Sequence, residues 1–156
     1  MKKIQLTQGR VALVDDEDYE WLSQWKWFYD NGYALRNNWK PTHTIIYMHR
    51  EIMNTPKSKR TDHKDTNGLN NQKSNLRICT QSENLMYRGK QKNNTSGYKG
   101  VTFDNAKQKW MAQIKVNRKK IYLGRYKKAI DAAHAYDDAA QKYHGEFARL
   151  NFPGVN

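Results

Sequence analysis

A histidine beside a carboxylate, with two asparagines further along, is the group of residues in this chain best suited to chemistry. The run DHKDTNGLNNQKSNLRICTQSEN places Asp62 next to His63, Asn75 twelve residues on and Asn84 nine after that. A histidine titrates near neutral pH and takes a proton from water. A carboxylate and an amide oxygen suit a hard divalent cation. Such a cation stabilises the departing oxygen of a cut phosphodiester. These residue types therefore predict a metal-assisted phosphodiesterase, and the basic segment that follows makes a nucleic acid its first expected substrate.

These side chains need elements to carry them. Ile4 to Leu6 and Val11 to Val14 read as short strands joined by a hairpin. The acidic cluster Asp15 to Asp18 favours a helix start, giving a short helix over about 16–24. Trp25 to Tyr29, then Asn31-Gly32, then Tyr33 to Arg36 reads as a second hairpin. The run Thr44 to Met53 starts extended and ends helical, and Asn54-Thr55-Pro56 breaks it. Little between 57 and 88 is apolar, so that stretch must pack against residues 1–53. A strand carries His63, another follows Asn75, and a helix from Gln81 carries Asn84.

Charge divides the chain more sharply than hydropathy does. The formal charge is +13 over 156 residues. Residues 85–128 hold thirteen Lys and Arg against one acidic residue, so nearly all the excess sits there. Basic residues interleaved with Tyr and Trp predict a polyanion partner. The single cysteine, Cys79, excludes an intramolecular disulfide and a cysteine-based zinc ribbon, and fits a reducing cytoplasm. No apolar stretch approaches the length of a membrane span, so no membrane partner is expected. The N-terminus shows no secretory signal.

Residues 89–95 read as a polar linker. Beyond it, Tyr98 to Phe103, Lys109 to Val116 and Lys120 to Leu123 read as three strands. Ala129, Ala132, Ala133, Tyr136, Ala140 and Tyr143 recur at helical spacing, with Gly145 as a terminal cap. Along 109–116 the side-chain period of two separates Trp110, Ala112, Ile114 and Val116, which face the helix, from Lys109, Met111, Gln113 and Lys115, which face water. A sheet of this kind fits the DNA major groove, where Lys and Gln reach base edges. Lys99, Lys120 and Tyr122 add to that face.

Two family resemblances rest on these residues. Met48-His49-Arg50, Asp62-His63, Asn75-Leu76-Arg77 and Thr80-Gln81-Ser82-Glu83-Asn84 resemble the HNH endonucleases of the phage and mobile-intron homing type. Ser96-Gly97-Tyr98-Lys99-Gly100-Val101, Lys109-Trp110-Met111-Ala112-Gln113-Ile114, Tyr122-Leu123-Gly124, Ala132 to Asp137 and Leu150-Asn151-Phe152-Pro153 resemble the plant Apetala-2 or ethylene-response-factor DNA-binding domain.

The first resemblance implies a ββα-metal module over about 57–88, within a segment 1–88 that begins with a β-rich leader. It implies that Asp62 and Asn84 bind one Mg²⁺ or Mn²⁺, that His63 is the general base, and that Asn75 supports the loop or orients the histidine. His49 is expected as a core or supporting histidine. The second resemblance implies, over 96–153, a three-stranded antiparallel sheet packed on one α-helix. Lys99, Lys115, Lys120, Tyr122 and Arg125 would align with DNA-contacting positions, joined by Lys109 and Gln113 from the strand pattern. Thr102 and Asp104 stand where the plant pattern has arginines, and Asp104 is expected to repel phosphate.

The whole chain is then α+β. Its expected activity is a metal-dependent, homing-type DNA endonuclease that nicks or prefers certain sites, acting on double-stranded DNA as a monomer or weak homodimer. Its expected setting is the cytoplasm of a bacterial or phage-infected cell. The rival expectation is a DNA-binding regulator without catalysis.

Overall fold

The computed structural model describes residues 1–39, 41–91 and 93–154. The chain divides into two compact units, Met1–Gln81 and Ser82–Asn156. The segment read as a linker thus belongs to the second unit, except Lys92, which lies outside the described residues.

In the first unit, β1 (Lys2–Gln5) and β2 (Val11–Val14) form an antiparallel pair. The acidic run opens α1 (Asp16–Ser23), where Asp16, Glu17 and Asp18 complement the positive end of the helix dipole. β3 (Phe28–Asp30), β4 (Tyr33–Asn38) and β5 (Thr44–Tyr47) make a three-stranded antiparallel sheet. Asn31 and Gly32 both take positive φ, which the tight turn between β3 and β4 requires. The expected strand from Trp25 is shorter than predicted. The Trp27 indole instead donates to the Leu22 carbonyl at 2.8 Å and anchors the end of α1.

β5 runs into α2 (Met48–Ile52), which ends where Asn54 takes positive φ. β6 (Arg60–His63) and β7 (Leu76–Cys79) pair antiparallel, with Asp62 opposite Arg77 and His63 opposite Leu76. The polar loop between them leans on the apolar core. Leu13 N–H donates to the Leu69 carbonyl at 2.8 Å, and Asn71 N–H donates to the Leu13 carbonyl at the same distance. Ile4, Leu6, Ala12, Val14, Leu22, Trp27, Ala34 and Met48 form that core.

The helix α3 (Gln81–Tyr87) starts at the boundary. In the second unit, β8 (Val101–Asp104), β9 (Lys109–Val116) and β10 (Lys119–Tyr126) form an antiparallel sheet with β9 central. β8 starts later than predicted because turns occupy 96–100. Ser96 Oγ donates to the carbonyls of Tyr98 and Val101, and Gly97 and Gly100 take positive φ. The helix α4 (Ala129–His144) lies on one face of this sheet. Ala132, Ala133, Ala139 and Ala140 are buried there, against Val101, Ala112 and Ile114. Small side chains on the helix let it lie close to the strands.

Two details fix this unit. Gly100 has φ +77 and sits under the Tyr136 ring, where a Cβ would overlap ring carbons. The Leu150-Asn151-Phe152 motif is a clasp. Buried Asp137 accepts from the Asn151 and Phe152 backbone N–H groups at 2.9 Å, and Asn151 bonds both backbone groups of Lys99.

Candidate nucleic-acid interface

The exposed face of the β8–β10 sheet is built by strand alternation and one irregularity. Gln113 pairs with Tyr122 and Lys115 with Lys120, so these four side chains lie in adjacent rows of one face. Beyond Tyr122 the register shifts, because Leu123 is an extra residue opposite β9. Without that bulge, alternation would turn Arg125 inward. With it, Arg125 lies opposite Met111 on the outer face and Tyr126 opposite Trp110 on the inner one. Gly124, at φ +131, accommodates the bulge. The sequence pattern ended the strand at Leu123 and so missed this device.

The expected contact residues differ in availability. Lys109, Lys115 and Lys120 are exposed, and Tyr122 is 54 % exposed although it carries an aromatic ring. Gln113 is half-buried, and its N–H donates to the Gly100 carbonyl at 2.9 Å. Arg125 is engaged. Its Nε donates to Asp104 Oδ2 at 2.8 Å, its Nη1 donates to the Tyr122 hydroxyl at 3.3 Å, and it lies over the Tyr122 ring. Asp104 was expected to repel phosphate. It holds Arg125 instead, and this hydrogen bond keeps its carboxyl below the usual range.

Lys99 departs further from expectation. Its Nζ donates to the Met86 carbonyl at the end of α3 and lies near the Tyr136 ring. Burial, helped by nearby Arg149, lowers its pKa to about 8. Lys99 therefore braces the segment before the sheet rather than standing on the outer face.

In the first unit, the expected chemical residues are occupied by the fold. The Arg77 guanidinium grips Asp62 Oδ2 through Nε at 3.0 Å and Nη2 at 2.7 Å, with both side chains largely covered. His63 is 5 % exposed and its Nε2 lies 3.1 Å from Asn71 Oδ1. Asn71 has no exposed surface. Its side chain is within hydrogen-bond reach of the His63 ring, while that of Asn75 bonds Asp65 and the Asn70 carbonyl. The His49 ring packs edge-on at 4.9 Å, and Tyr33 touches both imidazoles. Burial first, and then the neighbouring His63, push the His49 pKa down to about 3; burial likewise lowers that of His63.

Asn75 supports the loop, the other role expected of it. Its Nδ2 donates to Asp65 Oδ1 at 3.0 Å and to the Asn70 carbonyl at 2.8 Å, while its Oδ1 accepts the Asp65 N–H. Asp65 also accepts from Asn67 N–H and Asn70 Nδ2, both at 2.8 Å. Burial would raise the Asp65 carboxyl, but hydrogen bonds from Asn70, Asn67 and Asn75 bring it below the ordinary value. Sequence reasoning missed Asp65 and Asn71. The density of Asx residues between two strands was the available signal.

Of the expected donors, Asp62 is paired with Arg77, and Asn84 lies on α3. Among the described residues, no three His, Cys, Asp or Glu side chains gather closely enough to hold a metal. No described helix is long and apolar enough to cross a membrane.

Comparison with known proteins agrees with the basic sheet. Residues 96–146 match the AP2 domain, so an AP2 DNA-binding domain is present. The chain is 40% identical over 67 residues to dehydration-responsive element-binding protein 2A of rice, Oryza sativa subsp. indica, covering 42% of this chain and 24% of that one. It is 34% identical over 86 residues to an ethylene-responsive transcription factor of Medicago truncatula, covering 54% and 32%. An AP2-like ethylene-responsive transcription factor of Arabidopsis thaliana is 43% identical over 58 residues, covering 37% and 12%. The chain thus spans a third or less of the length of each of these relatives.

These findings correct three expectations. The relatives include proteins named as transcription factors, not HNH endonucleases, so the reading as a metal-dependent, homing-type nuclease does not stand. Neither does its description as a hydrolase. They come from plants, which overturns the bacterial or phage-infected cytoplasm as the expected setting.

Proposed function

We propose that this chain is a DNA-binding regulator of transcription. Its second unit lays the outer sheet face in the major groove of double-stranded DNA. Lys109, Lys115 and Lys120 meet phosphates or base edges, Gln113 reads a base edge, and Tyr122 packs against the sugar–phosphate wall. Arg125 joins them only when Asp104 releases it. Lys99 acts indirectly, by bracing the start of the sheet. The protein binds as a monomer or weak homodimer.

One observation carries this reading. The segment that matches the AP2 domain presents exposed Lys109, Lys115, Lys120 and Tyr122 on one sheet face, and the acid on that sheet, Asp104, is paired. In the first unit, Asp62, His63 and Asn75 serve the fold. The transcription-factor names of the relatives support the regulatory role.

The test is selection of binding sites from a pool of random-sequence duplexes, followed by a reporter assay with the enriched site. Enrichment of one motif, lost in a Gln113→Ala, Lys115→Ala variant, is expected. A pool that stays random after repeated rounds would overturn the reading.

A further inference from the structure

Beside the outer sheet face lies a cleft of about 580 Å³. It falls in the range of roughly 300–1,000 Å³ usual for ligand sites. One wall is the strap that follows α3, and the other is the end of the sheet where β9 gives way to β10. Among the described residues five cations line it: Arg88 and Lys90 from the strap, and Lys99, Lys115 and Lys120 from the sheet unit. No Asp or Glu is among the described lining residues. Arg88, Lys115 and Lys120 are exposed, and among the described residues none of the three enters an ion pair.

The strap is held to the sheet unit by specific bonds. Lys90 Nζ donates to the Gly97 carbonyl at 3.0 Å and Asn94 Nδ2 to the Tyr98 carbonyl at 2.9 Å. Lys99 reaches back to the Met86 carbonyl, and Arg149 lies over the Tyr87 ring. So the strap is part of the second unit, although it precedes the segment that matches the AP2 domain.

Gln113, Lys115 and Lys120 belong to both the outer face and the cleft. A polyanion lying across the face therefore continues between strap and sheet. We infer that this cleft clasps a stretch of DNA sugar–phosphate backbone, making Arg88 and Lys90 DNA contacts outside residues 96–146. The inference rests on the proposed DNA-binding function and extends its footprint. Like-signed side chains crowded without a carboxylate repel one another, and a phosphate run relieves that repulsion. The strap amides of Gln91 and Asn93, also in the lining, supply neutral donors to phosphate oxygens.

The experiment measures the affinity of the full chain for a short mixed-sequence duplex against salt concentration. Each lost phosphate contact flattens the log–log slope by about 0.9, so Arg88→Gln with Lys90→Gln flattens it by about 0.9 to 1.8, Lys90 counting for less because its bond to the Gly97 carbonyl must break first. At about 0.1 M salt this weakens binding by up to roughly 60-fold. Arg88→Lys with Lys90→Arg should keep the wild-type slope. Lys128→Gln with Lys142→Gln removes the same charge around α4 and should change the slope far less. A strap variant with the wild-type slope, or with no more loss than the α4 pair, would overturn the clasp while leaving sheet binding intact. A wild-type chain that binds no duplex at all would instead sink the DNA-binding reading, and the clasp with it.

Discussion

Replacing Asp104 with Asn should strengthen DNA binding. Asp104 is the acid on the β8–β10 sheet, and its Oδ2 holds the Arg125 guanidinium 2.8 Å away. The bulge at Leu123 places Arg125 on the outer face, so the ion pair competes with phosphate for that cation. Asn has the same shape and can still accept the Lys107 N–H that Asp104 Oδ1 accepts at 3.2 Å. The turn after β8 is therefore expected to survive, while the charge that restrains Arg125 is gone. One additional phosphate contact steepens the salt dependence by about 0.9 in slope, which at about 0.1 M salt is worth up to roughly eight-fold in affinity. Fluorescence anisotropy of a labelled duplex, titrated at several salt concentrations, reads both quantities. The same change made in an Arg125→Gln background separates release of the arginine from simple loss of a negative charge, because the gain should then shrink sharply. Unchanged or weaker binding by Asp104→Asn, at an unaltered slope, would refute the reasoning. So would an equal gain without Arg125.

Two further outcomes test the frame beneath the sites. Gly100→Ala combines a left-handed backbone, costing about 1–2 kcal/mol, with a Cβ forced into the Tyr136 ring, costing about 1–3 kcal/mol, so the second unit should melt many degrees lower; an unchanged melting temperature would show that the ring moves freely. Acid should unfold the first unit through His49, whose folded pKa is about 3 against 6.5 for the ordinary group. Between those values the unfolded chain holds a proton that the folded chain lacks, so stability is complete above about pH 6.5 and is lost progressively as pH falls toward about 3. The shift sets a ceiling of about 5 kcal/mol. Segment-resolved hydrogen exchange should show this loss between about pH 6.5 and 4, and His49→Gln should flatten it. Protection that stays constant across that window would contradict the buried, neutral imidazole.

Local signals in the sequence located most elements. Val11 to Val14, the acidic start of α1, the Asn31-Gly32 turn and the alanine spacing of α4 each depend on a few neighbouring residues, and each stands where the pattern put it. The misses depended on partners far along the chain. Trp27 leaves its expected strand because its indole finds Leu22, and β10 runs past Leu123 because a bulge keeps it paired with β9. The site shows the same division. Face alternation along β9 was readable, whereas the pairing of Arg125 with Asp104 needs two strands brought into register. Asp62 and His63 looked available for chemistry because sequence cannot show Arg77 or Asn71 closing on them.

The distinction that matters for function is therefore between cations that the fold engages and cations it leaves exposed. Thirteen Lys and Arg crowd residues 85–128, and composition treats them alike. The structure does not. Lys99 holds the start of the sheet to the end of α3, and Arg125 is restrained by Asp104, while Lys109, Lys115, Lys120 and Arg88 stand exposed. A cation already hydrogen-bonded within the protein must break that bond before it can replace a counterion on DNA, so it adds less to affinity than its charge suggests. The measured salt slope should accordingly fall well short of thirteen contacts and follow the exposed set. Neutralising Lys99 should act mainly through the stability of the second unit, and neutralising Lys115 or Lys120 through the slope itself.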